Sequence, residues 1–273
     1  MSFQPVVPVS GFGGWTFLNR TLDTQVESFR KAPAMQRDTA YFRENIARVE
    51  SAADLVADRR LLRVALGAFG LEDDINSRAF IRRILEDGTE ARDALANRLA
   101  DKRYLQLAQT FTFGTSDGPA TQSEGFADRI TAAYQGRQFE IAVGKRDDNL
   151  RLALNMRREL AAIAAEDRGE RAKWFSILGS PPLRQVFETA FGLPGSFAGI
   201  DLDQQLSVVQ RRTQRMFGES SVNQFAEPEK IEELAQRFLL RADTQSMLNG
   251  LSISGGAVAL QLLQAGQGGA PLR

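Results

Sequence analysis

The sequence predicts an all-α protein, and three observations carry that expectation. Apolar residues recur at steps of three and four through most of the chain, the spacing that places them on one side of a helix. No stretch sustains the apolar–polar alternation of period two that a half-buried strand needs. A phrase built around the helix ending "FGL" is written twice, as "DLVADRRLLRVALGAFGLEDDI" from Asp54 to Ile75 and as "FSILGSPPLRQVFETAFGLPGS" from Phe175 to Ser196.

Residues 1–14 are rich in Pro, Gly and Val without a period, and are expected to form a flexible or partner-dependent lead whose "GFGGW" acts as a hinge. Trp15 anchors the first helix. In "TFLNRTLDTQVESFRK", Leu18, Leu22, Val26 and Phe29 fall at steps of four, four and three, predicting a helix that Pro33 ends. A second helix runs through Phe42, Ile46 and Val49. From Ala52 to Phe113 short amphipathic helices are punctuated by Asp58, Gly70, Gly88 and finally Gly114, completing a first helical module over residues 15–113.

The Gly-, Ser- and Pro-rich stretch over residues 114–125 reads as a linker. A second module, 126–250, opens on one long connecting helix from Phe126 to about Asp167, with Gly136 and Gly144 as the places where it would break. Helices resume in "RAKWFSILG", "PLRQVFETAFG", "LDQQLSVVQRRTQRMFG" and "PEKIEELAQRFLLRA". Residues 251–273 form an apolar C-terminal segment in which Val258, Leu260, Leu262 and Leu263 make a helix that needs either a partner or a seat on the chain's own core.

Aligned on Leu71 and Leu193, the two phrases pair Leu61 with Leu183, Val64 with Val186, Ala68 with Ala190 and Gly70 with Gly192. A three-residue insertion then pairs Ile81 with Leu206 and Ile84 with Val209, with Asn76 and Asp201 as the expected N-caps and Gln204 completing a variant capping box. Further on, "LANRL" meets "LAQRF". The reading is a duplicated multi-helix module, each copy needing the same buried positions and the same stops.

Composition removes much chemistry. With no cysteine there is no disulfide frame, thiolate metal site or cysteine nucleophile, and with no histidine the usual general base is missing. Lys+Arg and Asp+Glu are equal at 34 each, so no global field draws the chain to nucleic acid. The longest apolar runs are far short of the roughly 18 residues of a membrane span, and "MSFQPVVPVSGFGGWTFLNR" lacks the basic start of a cleaved secretory signal.

Three motifs have bland readings. Glu72, Asp73 and Asp74 lie ahead of a helix, where its dipole favours acids, and show no calcium-loop spacing. The arginines of "ADRRLLR" and "VVQRRTQR" sit between core positions, without interleaved aromatics for stacking bases. "GFGGW" matches neither phosphate-binding glycine pattern. Tyr41, Tyr104 and Tyr134 remain for an enzyme built on carboxylates and tyrosines, but no catalytic constellation, cofactor, metal or small-molecule substrate is recognisable.

The stretches "GGWTFLNRTLDTQVESF", "RDTAYFRENIARVESAADLVADRRLLRVALGAFGLEDDI" and "LADKRYLQLAQTFTFG", with "DNLRLALNMRREL" through "IEELAQRFLL", resemble a bacterial helical family of unknown function whose members often lie within flagellar gene clusters. The resemblance covers most of the chain and brings no catalytic residues. It implies a non-enzymatic structural or assembly protein of the flagellum, exported without a cleaved signal, or alternatively a cytoplasmic adaptor or chaperone for an export substrate. Either would act on protein partners, flagellar components or copies of itself, through Trp15, Leu18, Leu22, Val26 and Phe29 at one end and Val258, Leu260, Leu262 and Leu263 at the other.

Overall fold

The computed structural model describes residues 3–99, 101–116 and 118–266, with side chains as far as residue 248. Among the described residues the secondary structure is 13 α-helices joined by short 3-10 turns, with no strand. The all-α expectation holds. The helices are α1 (Gly11–Arg30), α2 (Pro33–Asn45), α3 (Ala52–Ala57), α4 (Arg59–Phe69), α5 (Arg78–Asp87), α6 (Leu95–Arg98), α7 (Arg103–Phe111), α8 (Phe126–Gly144), α9 (Asp148–Ala165), α10 (Glu170–Gly179), α11 (Pro181–Phe191), α12 (Leu202–Phe217) and α13 (Pro228–Gly266).

Two large apolar cores organise them. The first gathers Phe42, Leu55, Leu62, Leu66 and Phe111 from α2 to α7. The second gathers Met156, Trp174, Phe187, Phe225 and Phe238 from the second half. Helix α8 serves both: Phe126, Ile130 and Tyr134 enter the first core, and Phe139 and Val143 the second. Its buried positions advance by four residues within each core but by five between Tyr134 and Phe139, a rotation of about 140° at 100° per residue. One helix thereby buries two different faces.

The two "FGL" endings close alike. Gly70 and Gly192 hold left-handed φ of 71° and 60°, a conformation that costs a side chain with a Cβ. Leu71 N–H donates to Leu66 O at 2.9 Å and Leu193 N–H to Glu188 O at 2.8 Å, the six-to-one bond of a Schellman stop. Of the expected N-caps, Asp201 accepts from Asp203 N and Gln204 N at 2.8 and 3.3 Å, forming its half of a capping box. Asn76 does not cap: α5 starts after Ser77, and Asn76 Oδ1 accepts from Arg59 Nη1 at 3.1 Å.

The packing divides the chain differently from the sequence pattern. Helix α1, assigned to the first module, places Trp15 and Leu18 in the second core. Residues 114–125 are not an open linker, because Thr121 is buried and its hydroxyl donates to Val49 O at 2.6 Å, tying the stretch to the first core. The long connecting helix is two helices. It stops after Gly144, and Asp147 restarts the chain as N-cap of α9 by accepting from Asn149 N and Leu150 N.

Candidate interaction surfaces at the chain ends

The N-terminal lead is docked. Val6 N–H donates to Gln25 Oε1 at 2.7 Å and Gln25 Nε2 donates back to Val6 O at 3.1 Å, while Phe3 meets Phe29 edge-on at 6.2 Å. Helix α1 begins at Gly11, four residues before the expected start, so Gly11 to Gly14 form its first turn and not a hinge. A helix start leaves backbone N–H groups without intrahelical acceptors. Here the chain supplies them: Gly11 N donates to Asp147 Oδ2 at 2.9 Å and Phe12 N to Asp243 Oδ2 at 3.3 Å. The glycines make room for this closure. A Cβ on Gly11 would fall 2.2 Å from Asp243 Oδ2, and one on Gly14 would fall 2.1 Å from Val9 O.

The sequence-predicted contact residues therefore separate into two groups. Trp15 and Leu18 are fully buried, and Leu22, Val26 and Phe29 are half-buried against the same second core. The N-terminal apolar stripe packs on the chain itself, chiefly on α13, α8 and α9, which closes off Trp15 and Leu18 and covers Leu22, Val26 and Phe29 only in part. Val258, Leu260, Leu262 and Leu263 fall on the backbone of α13, and their side chains lie outside the described residues.

Helix α13 is the element that leaves the core. Ile231, Leu234, Ala235, Phe238, Leu239 and Ala242 are buried at helical spacing. From Thr244 to Leu248 every residue is exposed, Met247 by 69% and Leu248 by 60%, and the helix continues to Gly266. Leu240, on the outer face, is 47% exposed. A boundary placed at Leu251 leaves residues 240, 247 and 248 out of the contact surface. The signal that could have found the last two was charge, since the sequence carries none between Asp243 and Arg273.

The other motifs are absorbed by packing. Asp74 Oδ2 accepts from the Tyr104 hydroxyl at 2.7 Å; burial, and then that bond, push Tyr104 up to about 12. Asp38 holds Tyr134 in the same way at 3.3 Å, with burial again the first cause of a value of about 12. Tyr41 donates to Asp58 at 2.6 Å beneath the Arg60 guanidinium, 3.7 Å from its ring centre. Among the described residues no group of three or more acidic side chains is arranged to hold a metal, and no helix is long and apolar enough to cross a membrane.

Between the cores lies an ionic knot. Arg137 Nη2 donates to Glu159 Oε1 at 3.0 Å, and Arg158 grips Glu140 through two bonds of 2.7 and 3.0 Å. Burial, then the neighbouring Arg158 charge, pull Arg137 below the ordinary guanidinium value. Burial acts on Arg158 in the same sense, but its bonds to Glu140 outweigh it and leave the group raised. These groups fasten α8 to α9.

No curated protein matches the chain. Among solved structures, the crystal structure of protein AGR_C_984 from Agrobacterium tumefaciens is similar, with 29% identity and a TM-score of 0.72, covering 89% of this chain and 99% of that one. A family model described as a protein of unknown function, DUF1217, matches residues 68–231. That match takes in both Gly-stopped endings and the α8–α9 junction between them, and on it the chain belongs to the DUF1217 family.

Proposed function

We propose that the chain is a non-enzymatic structural or assembly protein of the bacterial flagellum, acting through protein contacts made by the exposed part of α13. The observation that carries the contact role is the departure of α13 from the second core at Thr244 into a charge-free stretch that stays helical to Gly266. A helix that presents exposed apolar residues, as α13 does at Met247 and Leu248, is a donor of the kind that helix-in-groove recognition uses. The flagellar assignment is supported by the resemblance of the quoted stretches. We also infer that the two halves are copies of one helical module, for which the matched Schellman bonds at Gly70 and Gly192 are the support.

The alternative reading, a cytoplasmic adaptor or chaperone for an export substrate, is favoured by Met247, because an exposed methionine re-packs readily against different partners. An immunoblot of cytoplasm, culture supernatant and purified hook-basal bodies, in normal and export-deficient strains, separates the two. A structural component appears outside or in the purified structure only when export works. An adaptor stays in the cytoplasm of both strains.

A further inference from the structure

A groove of about 810 Å³ opens between the N-terminal lead, the α1–α2 corner and one face of α8. Along α8 it is lined by half-buried Gln138, Ile141 and Ala142, at helical steps of three and one, with buried Tyr134 at one end and Lys145, the C-cap of the helix, at the other. Phe3, Phe29 and Ile141 give it a half-buried apolar floor. From Tyr134 to Arg146 it runs about 18 Å, at 1.5 Å per residue. A seat of this length between a helix and a helical corner fits a third helix of some three turns.

Charge says which helix. Arg37 stands at the Tyr134 end and Lys145 and Arg146 at the other, all exposed, and among the described residues none of them forms a salt bridge. The Arg146 guanidinium donates to the neutral Gln4 amide, through Nη2 to Oε1 at 3.2 Å. The one acid in the lining, Asp38, is engaged by the Tyr134 hydroxyl and by Arg63 at 3.8 Å. The rim therefore offers uncompensated positive charge at both ends of an apolar floor.

We infer that this groove, on a different surface from α13, docks an amphipathic helix of a partner protein with apolar residues on one face and carboxylates flanking them. Helix-in-groove docking gains its energy from the apolar anchors and its selectivity from the flanking charges. Helix α13 beyond Asp243 is itself a poor candidate for the seat, since its sequence there carries no acid.

The test is fluorescence anisotropy on the full chain, with a labelled amphipathic model helix of Leu, Ala and Glu and a counterpart carrying Lys for Glu. The acidic helix should bind more tightly, and more weakly as salt rises. The double variant K145E/R146E should lose at least about tenfold for the acidic helix, the equivalent of one 1.4 kcal/mol step, and should gain for the Lys counterpart. R215E, at an exposed arginine on α12 away from the groove, should change neither. Equal binding of the two helices, equal loss in R215E, binding of phosphatidylglycerol vesicles in place of the helix, or a dimer that hides the groove would each overturn the assignment. None of these outcomes depends on α13, so a failure here is separate from a failure of the contact role proposed for that helix.

Discussion

Trp15 Nε1 donates to Glu232 Oε1 at 2.7 Å, joining residues 217 positions apart. The same carboxylate accepts from Asn19 Nδ2, and Arg157 lies over the Trp15 ring at 4.5 Å while reaching Glu232 at 3.2 Å. A tryptophan buried by its body and satisfied at its one donor locks α1 between α9 and the first half of α13. The N-terminal helix is thus a structural member of the second core, and the base from which α13 leaves is fixed.

Trp15→Ala should cost about 3–5 kcal/mol, the range for truncating a buried aromatic. Trp15→Phe should cost less, leaving Glu232 to water and to Arg157. Urea unfolding with unchanged slope would measure both. A Trp15→Ala loss below about 1 kcal/mol, the scale of an ordinary surface change, would show that α1 is only loosely docked.

Glycine substitutions should divide by position. Gly136 on α8 has open space where a Cβ would go, so Gly136→Ala should stabilise by about 0.5–1 kcal/mol, through helix propensity. Gly14→Ala drives a Cβ towards the backbone oxygen of Val9, which has no rotamer to change, and should destabilise by about 1–3 kcal/mol as overpacking does. Thermal melts that fail to order the two variants in this way would contradict the close packing of the lead on α1.

Separating Arg137 from Glu159 should be expensive. Their side chains are only 12% and 19% exposed, so Glu159→Ala leaves a guanidinium with little water, at a cost of about 3 kcal/mol. Replacing both by methionine should restore much of that loss. A double-mutant cycle by chemical denaturation gives the answer, and additive losses would show that the pair is not coupled.

Alkaline pH should weaken the fold before it ionises buried Tyr134 and half-buried Tyr104. Burial and Asp38 raise Tyr134 to about 12, and burial and Asp74 raise Tyr104 to about 12, whereas an unfolded tyrosine ionises near 10. Between these values the unfolded chain gives up protons that the folded chain keeps, so stability falls as pH rises from about 10 to 12. Below about pH 9 the tyrosines add no pH dependence. Urea midpoints at pH 9 and 11 should differ for the parent chain and differ less in Tyr134→Phe. The same drop in that variant would place the cause elsewhere.

What the sequence made legible is what neighbouring residues decide. Gly70 and Gly192 could be read as stops because the left-handed turn and its closing bonds involve only residues within one turn. The stripe through Leu18, Leu22, Val26 and Phe29 was legible as a buried face, but periodicity does not say what buries it. Its cover comes from α13, α8 and α9, all more than 90 residues on, and none of them is announced by a local pattern. The same limit hid the role of "GFGGW", since the atoms that require Gly11 and Gly14 to lack a side chain belong to Asp243 and to the carbonyl of Val9. It also hid the groove over α8, because Arg37 and Lys145 become its two ends only once α2 has folded back onto that helix. The α8–α9 break is half legible: Gly144 marks a candidate stop, but no local pattern sets Asp147 apart as the residue that restarts the helix.

If α13 beyond Asp243 makes the contact, the body should fold without it. A chain ending at Asp243, expressed beside the full chain, can be followed by circular dichroism and by immunoblot of purified hook-basal bodies. The shortened chain should keep the same melting transition and be lost from the purified structure. A shortened chain that is fully folded and still co-purifies at the level of the full chain would rule out a contact made by this part of α13.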